Sequence, residues 1–510
     1  MSSNINPTRA LSSNWLDGGS RRSLLMRLQA IVQGMQPVLS IVGMMMLVVP
    51  IVDALYGGPV SQLFLYFGAV LFTTSFFLGR LLQAIEGSIE MNYWEALVTY
   101  SLVWILAPAL VAIPLSFELG ISYVDALFEC ISGFTGTGLT ILRGLDRVGK
   151  GVLFLRALMQ WIGELGVVVF ASLFFPFFWR FGYILYSLER PYHISISLRE
   201  TAKRIFYIYF FVTVIGVVAL IYLGVEPLDA VVHTMTAVAT GGMSTHDANY
   251  EAVYRYAPLS VYPIVALMLI GGSNFVVLNY LLNGDVRRAW SIEEFRGYVY
   301  VVALFSILSL IVVLPEVGFR LDQALLLGLF NTISAMTTTG FNIGDIASLS
   351  YGAKSLLVIS MFIGSMSFST AGGIKTVRFI VLLKKLKAYV ASYITGGEIV
   401  QDIRLGDRVI DDREVSNMIF FASLHALAVF IGASLVKVVA PSVDFLDAVF
   451  EATSAASSVG LSVGVTSIEL HVAGKVALMA LMYFGRLEYT PLMVLLGLTI
   501  YRRLIQLLKR

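Results

Sequence analysis

One short stretch occurs four times in this 510-residue chain. Asp125 onward reads DALFECISGFTGTGLT, and Asp229 onward reads DAVVHTMTAVATGGMS. Leu327 onward reads LGLFNTISAMTTTGFN, and Asp447 onward reads DAVFEATSAASSVGLS. The four align without a gap. Glu129, His233, Asn331 and Glu451 share one column, and Gly138, Gly242, Gly340 and Gly460 share another nine positions later. A single copy would say little, because Gly and Thr are common in membrane helices. Small-residue helix packing explains the composition but not four copies with a shared terminal glycine. The recurrence predicts a fourfold internal repeat.

Each copy opens on apolar residues and ends on small or hydroxyl residues and glycine. From Gly328 to Thr337 a helix would span about 15 Å, half a bilayer, which reads as re-entrant. Non-helical backbone at membrane depth is tolerated only where it is enclosed by protein or lines a water- or ion-filled path. Glycine permits positive φ and close packing about an axis, and freed carbonyls can replace an ion's hydration shell. The expected filter residues are therefore Thr137 and Gly138, Gly241 and Gly242, Thr339 and Gly340, and Val459 and Gly460. Asp125, Asp229 and Asp447 stand near the starts of three pore helices, where they are expected to cap orphan amides. The helix C-terminal ends would then face one axis and favour a cation over an anion. His233 lies in the repeat column, so a structural role is expected for it.

Hydrophobic residues make up 57% and charged residues 13% of the chain. That excludes a soluble globular protein and predicts an all-α polytopic membrane protein. The expected organisation is a tail over 1–36, an extra transmembrane helix pair over 37–90, and four helix–pore loop–helix repeats. The repeats span 91–201, 202–293, 294–400 and 401–510, and with the extra pair they give ten spans. The net charge of +2 specifies no partner class, and nothing points to nucleic acid. The single cysteine, Cys130, cannot form an intrachain disulfide and is expected to be a packing residue. No metal-ligand cluster, nucleophile triad or phosphate loop is visible, so no cofactor and no enzymatic activity are expected. Basic residues gather at the N-terminus, at 180–204, 287–296 and 384–413, and at the C-terminus. The positive-inside rule then places both termini in the cytoplasm and all four loops on the outer side.

The second helix of each repeat is punctuated: WIGELG around Gly163, LIGGSN around Gly271, FIGSMSFSTAGGIK from Phe362 and YFGRLE around Gly485. Gly364 to Gly373 cannot hold a lipid-facing helix and must break inside the protein, below the filter; the milder reading is a kinked helix with packing glycines. Arg486 is a charge in mid-span and by default a functional candidate; pairing with another repeat is its structural alternative. Glu488, two positions on, lies off its face. Glu164, Glu488 and Lys375 are the buried ionisable residues expected from the sequence.

These loops, SGFTGTGLT, ATGGMSTHD, TTTGFNIGD and SSVGLS, together with FSTAGGIKTVRF, resemble the Trk/Ktr/HKT superfamily of potassium transporters. The extra helix pair is similar to the TrkH branch and unlike the shorter KtrB. The resemblance runs from about residue 37 to the end. It implies a potassium-conducting pore, a homodimer in the bacterial or archaeal cell inner membrane, and a cytoplasmic ring of TrkA-like RCK nucleotide-binding subunits. It also implies an intramembrane gate at Gly364 to Lys375, including Ser369, Thr370, Gly372 and Gly373, and matches Arg486 to the family's basic residue facing that loop. Arg486 is then expected to bond freed loop carbonyls, and the loop to be weakly held. The chain departs from the pattern at Gly136, where Thr is usual, at Val459, and at Met366, Ser367 and Phe368. A symporter coupled to sodium or protons is the rival function.

Overall fold

The structure, a computed structural model, describes residues 24–86, 91, 93–166, 198–395, 402–406 and 408–489. Among them, six helices are long and apolar enough to cross a membrane: Met26–Leu55, Gln62–Leu82, Glu95–Leu119, Arg199–Tyr222, Glu293–Glu316 and Asp412–Val439. They are the extra pair and the first helix of each of the four units. The protein is a multi-pass, all-helical membrane protein, with one two-residue hairpin, Arg404–Leu405 against Arg408–Val409, among the described residues. The first helix begins at Leu24, inside the stretch expected as a tail, because Ala30, Met35 and Val38 already bury against the core. The extra pair packs closely. A Cβ on Gly43 would stand 2.6 Å from the Phe72 amide nitrogen, and the Ser40 and Ser75 hydroxyls bond at 2.9 Å.

All four second helices are interrupted close to the end of a pore helix. Lys150–Leu165 ends at Gly166, and Val261–Gly271 breaks before Phe275–Leu282. Tyr351–Ile363 breaks before Thr376–Ile394, and Val472–Arg486 ends before the positive-φ residues Glu488 and Tyr489. The sequence reading placed a break only in the third. The reason for the others is steric. Cβ atoms on Gly163, Gly271 and Gly485 would lie 2.1, 2.7 and 2.0 Å from the carbonyls of Phe134, Val238 and Ala456, the last residues of three pore helices. In the third unit the Ser365 hydroxyl donates to the equivalent carbonyl, Met336, at 2.9 Å. The continuations over 167–197 and 490–510, and the basic residues expected there and before Leu24, lie outside the described residues.

The pore helices are Tyr123–Phe134, Pro227–Val238, Leu321–Met336 and Phe445–Ala456. The third is longer than its motif suggests and carries a π-turn over Leu325–Phe330. The three aspartates do more than cap. Ser122 and Asp444 take the first-turn amides of the first and fourth helices, which frees the carboxylates of Asp125 and Asp447 for neighbouring units. Lys475 reaches Asp125 at 2.6 Å, and Lys354 reaches Asp447 at 2.8 Å. These ties join the fourth unit to the first and the third to the fourth. The first and second are joined by His246 on Asp146 at 3.1 Å and by the Gly144 amide donating to Asp247 at 2.8 Å. The second and third are joined by the Gly344 amide donating to Glu251 at 3.1 Å. The four units thus close into a cycle.

Lys475→Met leaves Asp125 buried without its cation, and breaking a buried pair this way costs about 3–5 kcal/mol. The purified variant should melt at a clearly lower temperature than wild type, and adding Asp125→Asn should recover most of the loss. Equal melting of single variant and wild type would show that the seam does not hold the ring.

Candidate filter and the loop beneath it

Each pore helix hands over to its loop by the same backbone bonds. The amides of Thr137, Gly241, Thr339 and Val459 donate to the carbonyls of Ser132, Thr236, Ser334 and Ser454 at 2.9, 2.8, 2.8 and 2.9 Å. The residues on either side are left-handed in every copy: Gly136 and Gly138, Thr240 and Gly242, Thr338 and Gly340, Ser458 and Gly460. With alternating hand the intervening amides turn back onto the helix, so they do not compete for the loop carbonyls.

The four loops touch in a closed ring. A Cβ on Gly138 would lie 1.9 Å from the Gly241 carbonyl oxygen, and one on Gly242 would lie 2.0 Å from that of Thr339. One on Gly340 would lie 2.1 Å from the Val459 oxygen, and one on Gly460 would lie 2.5 Å from the Thr137 oxygen. All eight expected filter residues therefore meet here, and glycine is required at four of them by both conformation and space.

The other repeat column is a clamp. The Ile141, Ile343 and Val463 amides donate to the side chains of Glu129, Asn331 and Glu451 at 2.7, 3.1 and 3.0 Å, and His233 bonds the Ser244 hydroxyl at 2.8 Å. Each side chain fastens the segment leaving the filter back onto its own pore helix, in keeping with the structural role expected of His233. Sequence reasoning missed a second brace. Gln160 donates to the Gly241 carbonyl at 2.6 Å and accepts from the Met243 amide at 3.1 Å, while Arg156 holds the Ser244 carbonyl at 2.8 Å. The signal was present. Both are polar residues on an apolar helix, at positions where the second and fourth units carry Met268 and Met482, and Ile264 and Leu478. Among the described residues, no three His, Cys, Asp or Glu converge as a metal site.

The predicted gate loop lies directly against the filter's underside. Thr370 donates to the carbonyls of Val238 at 3.0 Å and Gly271 at 2.9 Å and accepts from Thr240 at 3.2 Å. The Gly372 amide donates to the Thr338 hydroxyl at 2.7 Å, and a Cβ on Gly372 would lie 1.9 Å from the Ser457 carbonyl. Gly364 and Gly373 pack on one another, Ser369 donates to the Met366 carbonyl at 2.6 Å, and Lys375 donates to the Ala371 carbonyl. Glu294 takes the Ser367 amide and hydroxyl at 2.5 and 2.8 Å, and Asn274 donates to the Ser367 carbonyl at 2.7 Å. The loop is thus tied to the second and third units by hydrogen bonds and packed on the fourth, contrary to the weak hold expected from its small side chains. Arg486 donates to the Gly163 carbonyl at 2.7 Å and pairs with Glu164 at 3.3 Å, the pairing with another repeat that the sequence offered as its structural alternative. Glu488 pairs instead with Arg378, at 2.6 Å.

The TrkH family profile, described as a cation transport protein, matches residues 67–318 and 318–499. The chain belongs to the TrkH family. It is 32% identical over 479 residues to an uncharacterized cation transporter of Methanocaldococcus jannaschii, covering 93% of this chain and 96% of that protein. It is 32% identical over 425 residues to the Trk system potassium uptake protein TrkH of Escherichia coli, covering 81% and 87%. The crystal structure of the potassium transporter TrkH from Vibrio parahaemolyticus superposes with a TM-score of 0.78 at 26% identity, covering 92% of this chain and 98% of that one. The family is one of transporters, not enzymes.

At the loop face of the ring, His246 bonds Asp229 at 2.9 Å and Asp146 at 3.1 Å. The Asp229 bond chiefly, against partial burial and helped by Asp146, raises its pKa above the ordinary 6.5. A raised value means that the folded state favours the charged ring. Its contribution is complete below about pH 6.5 and is lost as pH rises through the higher folded value. The melting temperature should therefore fall on raising pH from about 6 to 9, and His246→Gln should flatten that slope. An unchanged slope would count against the contact.

Proposed function

We propose that the chain takes up potassium across the cytoplasmic membrane, through the ring of Thr137, Gly138, Gly241, Gly242, Thr339, Gly340, Val459 and Gly460. The observation that carries this reading is the closed cycle of four glycines, each seated on the next loop's carbonyl, in a chain related to named potassium transporters. The filter is rigid because its amides are spent on the pore helices, and a rigid carbonyl ring replaces a hydration shell at little reorganisation cost. Movement is downhill, driven by the membrane potential at about 2.3 kcal/mol per charge per 100 mV. The four loops face outward and both termini are cytoplasmic, as the basic residues of 284–296 and 384–413 favour.

Gly364 to Lys375 is the gate. It bonds the filter's underside at Thr240 and Thr338 and runs straight into the helix Thr376–Ile394, whose Leu383, Leu386, Tyr389 and Tyr393 are exposed beside Lys385. A cytoplasmic nucleotide-binding subunit that draws this helix would strip the loop from the filter. The working unit is a homodimer with such a regulatory ring, as the resemblance to the Trk/Ktr/HKT superfamily implies; the relatives' membership of a Trk system supports a multi-component assembly.

Purified protein in liposomes should pass potassium and rubidium in preference to sodium. Gly138→Ser, which forces a side chain onto the Gly241 carbonyl, should raise relative sodium flux. Wild type passing sodium as readily as potassium would refute the filter assignment. Thr370→Val removes the hydroxyl that ties the loop to Val238 and Gly271, a loss of about 1–3 kcal/mol from the closed arrangement. Resting potassium flux should rise severalfold; a fall in a folded variant would make the loop a support rather than a gate.

A further inference from the structure

Among the described residues, the gate loop bonds or packs against three filter copies, at Thr240, Thr338 and the Ser457–Ser458 segment. The first copy is met differently. Gly136 stands where the other three carry a hydroxyl residue, and a Cβ there would lie 2.0 Å from the Glu164 carboxylate. Backbone conformation does not demand glycine at this column, since Thr240, Thr338 and Ser458 adopt the same left-handed φ. The space does, because Glu164 fills it. The carboxylate is 2% exposed and pairs with Arg486 from the fourth unit, which in turn lies 5.0 Å from the Trp104 ring centre. Positions equivalent to Glu164 in the second and fourth units hold Gly272 and Arg486 itself.

We propose that Glu164 is the counter-charge that cancels Arg486 beneath the first filter loop and thereby sets how readily a cation leaves the filter. The inference rests on the reading of the ring as the potassium path. Nearby, Arg378 is balanced by Glu488, while Lys375 is bonded to a carbonyl. Among the described residues, Lys375 also lies within electrostatic reach of Glu294, so with Glu164 ionised the cations of this group are matched by carboxylates. Removing the Glu164 charge leaves an uncancelled positive charge below the filter and opposes a passing cation; removing the Arg486 charge leaves an anion that draws one in. Gly136 is then the accommodating half of the arrangement: any side chain there displaces the carboxylate from Arg486.

The test is potassium-dependent rubidium flux in liposomes, with wild type measured alongside so that failure of the pore reading shows as absent wild-type flux. Glu164→Gln should lower flux about tenfold and Arg486→Gln should raise it, a size set by one charge acting over several ångströms in a partly shielded site. The double variant should lie between them, with non-additive effects. Gly136→Thr should lower flux as Glu164→Gln does. Elution and melting of each variant report folding separately. Opposite signs for the two single variants support the counter-charge. Equal losses in both, deepening in the double, would make the pair a structural tie and overturn the proposal.

Discussion

A carbonyl can face an ion at membrane depth only if the amides of the same chain segment are satisfied elsewhere. Four amides meet that condition here, those of Thr137, Gly241, Thr339 and Val459, each returned to a carbonyl of its own pore helix. Much of the architecture serves those four bonds. The pore helices must end at a common level, so the second helices carry Gly163, Gly271 and Gly485, or Ser365, against their last carbonyls. The segment leaving the filter must be held, so Glu129, His233, Asn331 and Glu451 fasten it. The units must close into a cycle, and buried Lys–Asp pairs and carboxylate–amide bonds cross the seams between them.

The four copies are alike in backbone and unlike in side chain, and the differences are concentrated around the first. Arg156 and Gln160 brace its neighbour's filter loop, where the second and fourth units use apolar residues. Gly136 and Glu164 stand in place of the hydroxyl contacts that Thr240 and Thr338 make with the loop below in the second and third copies. A single chain carrying four unequal quadrants can place one loop and one charge pair beneath a ring that is otherwise uniform.

The legibility of this structure in its sequence followed the range of the interactions. The filter glycines and the column nine residues before them were readable because each recurs in every copy, where alignment exposes them. The break at Gly364 was readable because its composition cannot stay helical in lipid. The breaks after Gly163, Gly271 and Gly485 were not, because each depends on a pore helix carbonyl many residues away. The same reason hid the partners of Asp125 and Arg486. Ser122 made capping by Asp125 redundant, and Lys475 lies at the other end of the chain. Arg486 pairs with Glu164 of the first unit, a partner more than three hundred residues away that the sequence could name only as another repeat. The loop's tight hold was invisible for a related cause. Its bonds are made by backbone groups and small hydroxyls whose partners lie far along the chain, which composition does not rank.

The proposed cation path depends on the four loops forming one cation site. Anomalous difference density from crystals grown in rubidium tests it most directly. The account predicts a peak on the axis of the ring, within coordination distance of the Thr137, Gly241, Thr339 and Val459 carbonyls, which weakens when sodium replaces rubidium. Ordered filter loops with no peak among those carbonyls would contradict it.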